Sequence, residues 1–69
     1  MSNYAIIYEP AEEGWGAYSP DLPGVVAHGD TLDEVQTLIG EAIALYVGEL
    51  GRLGRTAPPA RSVVGTVTA

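Results

Sequence analysis

The 69-residue chain carries nine carboxylates, three arginines and no lysine, for a net charge of −6, and it has no cysteine. That length holds one domain, the missing cysteines exclude a disulfide frame or thiolate metal site, and no apolar run approaches the ~20 residues of a membrane-spanning helix. All nine carboxylates fall between Glu9 and Glu49, and Arg52, Arg55 and Arg61 follow them, so the first 51 residues repel phosphate backbones and favour a basic partner.

In chain order, Tyr4–Tyr8 (YAIIY) is β-branched and aromatic and reads as a first strand. Pro10 and Gly14 interrupt it, and residues 15–19 (WGAYS) return as the second strand of a hairpin. PDLPG at residues 20–24 is a turn, because Pro20 and Pro23 fix their own φ and Gly24 frees the next step. Val25–His28 reads as a third short strand. Thr31 is then an N-cap, with Glu34 three residues later completing a capping box. Asp30, Asp33 and Glu34 place negative charge at the positive end of the helix dipole.

Val35, Leu38, Ile39, Ala42, Ile43, Tyr46 and Leu50 recur at helical spacing. Gly51 and Gly54 are stop signals with Arg52 and Arg55 beside them. After TAPPA, the run SVVGTVT reads as a fourth strand. The expected fold is a single α+β domain over residues 1–69, ordered β-β-β-α-β, with one helix on one face of the sheet. A crossover to a parallel fourth strand would be right-handed. Tyr4, Ile6 and Tyr8 point to one face and Ala5 and Ile7 to the other, so the uncovered face is expected to meet another subunit or a partner. A small fold without staples often gains burial in this way, here as a dimer or tetramer.

Chemistry is sparse. His28 is the only histidine, and a base needs an orienting partner and a metal site needs companion ligands. Glu12 and Glu13, adjacent in the hairpin loop, face water more readily than they share a proton. The glycines of PGVVAHG lack the Lys and Ser/Thr that complete a phosphate-binding loop. Ser19, Ser62 and the threonines have no base-and-orienter set. No catalytic residue, cofactor site or metal site is expected, and the chain reads as a non-enzyme. The start MSNYAIIYEP lacks the basic head and apolar stretch of a signal peptide, so a cytoplasmic protein is expected.

Taken together, YAIIYEPAEEGWGAYSPDLPGVVAHGDTLDEV, EAIALYVGEL and the proline pair Pro58–Pro59 resemble the HicB antitoxin family over nearly the whole chain. The matching pieces are Tyr4–Tyr8, Glu12–Gly14, Tyr18, Pro20–Gly24, Gly29–Thr31, Glu41–Ile43 and Pro58–Pro59. The resemblance implies a partly degraded RNase H-like sheet. It also implies an antitoxin that binds and blocks HicA, a small basic RNA-cleaving toxin. The DNA-binding domain carried by many relatives is not expected in a chain that closes at Ala69. Two-metal nucleases of RNase H type need converging carboxylates, whereas residues 4–8 and 62–68 have none and Glu41 of the helix alone cannot assemble such a site. Occlusion of the toxin is therefore the expected mechanism. Its contacts are expected at Glu12, Glu13 and Trp15 of the hairpin, with Asp21, Asp30 and Asp33. The alternative is an orphan oligomeric module that binds another protein or a small ligand.

Overall fold

The computed structural model describes residues 3–69. Three strands, β1 (Ile7–Pro10), β2 (Trp15–Tyr18) and β3 (Val26–Gly29), form an antiparallel sheet in that order, and α1 (Leu32–Arg52) follows. The α+β class and the β-β-β-α order are those expected from the sequence.

The strands differ from expectation at their ends. Pairing in β1 begins at Ile7 rather than Tyr4 and runs on through Pro10, whose register partner is Trp15. Proline is tolerated there because β1 is an edge strand, where a missing N–H breaks no ladder on the solvent side. The third strand is likewise displaced by one residue, because Val25 closes the preceding turn: its N–H donates to the Leu22 carbonyl at 3.2 Å. The fourth strand is not formed. Residues 62–68 adopt no regular structure, and among the described residues no backbone–backbone hydrogen bond involves them. β-Branched composition favours a strand only where an edge is at hand to pair with it.

Register sorts the side chains. Tyr8, Ala17 and Ala27 lie opposite one another across the three strands, and this row faces the helix. The core consists of Ala17, Leu22, Val25, Val35 and Ile39, with Tyr4, Ile6, Tyr8, Trp15, Ala27, Ala42, Ile43 and Tyr46 packed against it. Tyr4, Ile6 and Tyr8 share one face, as alternation implies, and the packing shows that this is the face covered by the helix. Leu38, by contrast, lies at the solvent margin of the helix stripe.

The helix starts and stops by side-chain and backbone chemistry visible in the sequence. Thr31 is extended (φ −126°, ψ 161°), and its Oγ1 accepts the Glu34 N–H at 3.1 Å. At the other end the stop is Gly54, with φ +71°, whereas Gly51, also expected as a stop, lies inside the last turn of α1. The Gly54 N–H donates to the Gly51 carbonyl at 3.0 Å, and the Arg55 N–H donates to the Leu50 carbonyl at 2.8 Å. These are the paired bonds of a Schellman motif, whose left-handed position suits glycine. Arg52 closes the last turn with two bonds to the Glu49 carboxylate. Both side chains are well exposed, so the pair adds little stability.

Candidate functional site

Two ends of the sheet carry different chemistry. At one end, the β1–β2 turn packs against the β3–α1 junction. Gly14 has φ +91°, and a Cβ there would collide with the Gly29 carbonyl oxygen and come within 3.1 Å of the Asp30 Cα. Glycine is therefore required on two grounds: left-handed backbone and close approach. This contact brings the hairpin acids Glu12 and Glu13 to the same end as Asp30 and Asp33. All four are exposed. Glu34 joins them in the first turn of α1. No lysine or arginine precedes Arg52, so the acidic end has no fixed positive charge of its own segment to offset it. Trp15, next to this turn, is half-buried and packs against the core from the helix side of the sheet.

Asp21 lies at the opposite end, in the β2–β3 connection, and its carboxylate is engaged within the chain. Oδ2 accepts the N–H groups of Arg61 and Ser62, and Oδ1 accepts the Ser62 hydroxyl, each at 2.9 Å. The Ser62 N–H above all holds the Asp21 carboxyl below its ordinary value; desolvation opposes it, and the Ser62 hydroxyl, the Arg61 N–H and the Arg61 charge each lower it by less. Nearby, the Tyr4 hydroxyl donates to the Pro58 carbonyl at 2.6 Å. Together these bonds tie the segment after the helix back onto the sheet.

The connection that presents Asp21 is a pair of turns. The Leu22 N–H donates to the Ser19 carbonyl across Pro20 and Asp21, and the Val25 N–H donates to the Leu22 carbonyl across Pro23 and Gly24, both at 3.2 Å. Gly24 has φ +88°, which with Pro23 before it gives a type II turn. Between the turns, Leu22 points inward and is fully buried. PDLPG is therefore a plug and a clamp as well as a turn. Sequence reading identified the turn but not the plug, although Leu22 is the only large apolar side chain between the two prolines.

The face of the sheet away from α1 carries the row Ile7, Tyr18 and Val26, matched by register. Tyr18 and Val26 are exposed. The neighbouring row is Glu9, Gly16 and His28, and the His28 side chain lies open to solvent. Among the described residues no group of three or more His, Asp or Glu is arranged to hold a metal ion, and no helix is long and apolar enough to cross a membrane.

The surface thus offers a carboxylate-rich end, an apolar open face and an internally clamped Asp21. No curated protein and no solved structure matches the chain. Residues 4–69 match a family model described as the HicB_like antitoxin of a bacterial toxin-antitoxin system, and with all but three residues covered the chain belongs to that family.

Proposed function

We propose that this antitoxin acts by binding and occluding a basic, HicA-type mRNA-cleaving toxin, with the acidic end of its sheet as the charged contact. The observation that carries this reading is the Gly14–Gly29 contact, which sets the loop bearing Glu12 and Glu13 at the same end of the sheet as the exposed Asp30 and Asp33. Carboxylates distant in sequence there lend their charge to one end of the sheet. Complementary charge of this kind speeds encounter and selects the partner. The same charge disfavours contact between this chain and nucleic acid, so inhibition would come from covering the toxin rather than from competing for its RNA. Antitoxin and toxin would then meet in the cytoplasm, where the mRNA is.

The test is a titration of purified HicA-type toxin with the chain, read by cleavage of a defined mRNA. The expected result is saturable loss of cleavage at a fixed stoichiometry. Undiminished cleavage at excess chain, with the chain folded, would overturn the proposal. The apolar row Ile7, Tyr18 and Val26 favours a second reading, in which the chain is an oligomeric module whose partner is another protein or a small ligand. That reading gains if the chain self-associates yet leaves the toxin active.

A further inference from the structure

We propose that residues 62–68 form a β-strand by pairing with the open edge of β3 in a second copy of the chain, so that two chains exchange their C-terminal segments. This goes beyond toxin binding and does not depend on it.

Four observations carry the proposal. First, the segment SVVGTVT is rich in β-branched residues, the composition that suits a half-buried pleated surface. Yet Val63 is 93%, Val64 70% and Val67 94% exposed, so the segment stands off its own body. Second, it does not leave at random. The three bonds from Arg61 and Ser62 to Asp21 fix the point and direction of departure, and a fixed stem lowers the ordering entropy that pairing must overcome.

Third, a matching edge is present. β3 is an outer strand with Val26 68% exposed and no proline among its residues Val26–Gly29. The other edge, β1, ends in Glu9 and Pro10, and charge and proline are the usual means of blunting an edge. Fourth, charge selects the occupant. Residues 52–69 contain all three arginines and no carboxylate, whereas residues 1–51 contain nine carboxylates and no lysine or arginine. Residues 62–68 are themselves uncharged, and the charge beside them is Arg61 at their stem, which suits an acidic body like their own and not a basic toxin. Because segment and edge reside on the same chain, the contact can be made twice about a two-fold axis and closes as a dimer.

Sedimentation equilibrium of the full chain at micromolar concentration tests the assembly, with the V64P/V67P variant beside it. Positions 64 and 67 have opposite parity, so the variant removes one N–H from each edge of the strand. The wild type is expected to be dimeric. The variant, with its helix content intact by circular dichroism, is expected to bind its copy roughly a hundredfold more weakly, because ladder bonds are lost in both exchanged strands. Isotope-filtered nuclear Overhauser spectra of a mixed dimer locate the contact whether or not the variant folds. Intermolecular signals between residues 63–67 and Val26–His28 support the exchange. A monomeric wild type, signals only within one chain, or intermolecular signals confined to the Ile7–Tyr18–Val26 face would each overturn it.

Discussion

Asp21 and Ser62, 41 residues apart, are joined by two hydrogen bonds of 2.9 Å, one to the serine N–H and one to its hydroxyl. With the adjoining bond from the Arg61 N–H, they make the carboxylate a clamp on the segment that follows the helix. The charge-assisted bonds of an ionised carboxylate are stronger than neutral ones, so the clamp is tied to the ionisation of a single side chain.

Acid should therefore release the segment. The folded-state Asp21 carboxyl is held below its ordinary value of 3.8, so its contribution is complete above that value and is lost as pH falls through the lower folded one. The Ser62 amide resonance, followed by NMR in an acid titration, is expected to move with this transition. In Asp21→Asn the acid response at Ser62 should disappear. A response retained in that variant would place the titration elsewhere.

Leu22 should be among the most sensitive positions in the chain. Its side chain is fully buried between two turns, and truncation of such residues costs about 2–5 kcal/mol through lost transfer energy and a residual cavity. Leu22→Ala is expected to lower the urea midpoint by a corresponding amount. A shift equivalent to less than about 1 kcal/mol would contradict the assignment of Leu22 to the core.

Gly14→Ala should disturb the acidic end specifically. The substitution forces a left-handed non-glycine residue, at about 1–3 kcal/mol, and drives its Cβ into the Gly29 carbonyl oxygen. Loss of stability is expected together with amide shift changes at Asp30 and Thr31. Wild-type stability would show that the hairpin turn is not held against the β3–α1 junction.

Thr31→Ala removes the acceptor of the Glu34 N–H. A loss of about 0.5–2 kcal/mol is expected, as for other N-cap truncations. An unchanged unfolding midpoint would contradict the capping role.

These positions differ in how far they can be read from sequence. The helix was legible at both ends, because Thr31 and Gly54 act on backbone groups a few residues away, although among the described residues the Glu34 side chain makes no return bond to the cap. Alternation alone put Tyr4, Ile6 and Tyr8 on one face, and only the packing shows that this face is the inward one. The strand ends were not legible, since pairing depends on where the neighbouring strand stops as well as on propensity. Asp21 and Ser62 are invisible as a pair because local pattern has no bearing on a contact 41 residues apart. Of the residues expected to face a partner, Glu12, Glu13, Asp30 and Asp33 share one end. Asp21 is turned to an internal use, and Trp15 is drawn towards the core. Residues 62–68 are rich in β-branched residues but do not form the expected fourth strand, because composition does not determine whether a segment pairs with an edge of its own sheet.

The most direct test of the proposed function is the association rate of a purified HicA-type toxin with the chain, measured by surface plasmon resonance across a salt series beside Glu12→Gln/Glu13→Gln. Electrostatic steering weakens as the Debye length falls from ~10 Å at 0.1 M to ~3 Å at 1 M salt. The wild-type rate is predicted to fall steeply over that range. The variant is predicted to associate more slowly at low salt while its dissociation changes little, as expected for rim charges. A flat salt response, or a variant that associates at the wild-type rate, would contradict a toxin contact made through the acidic hairpin.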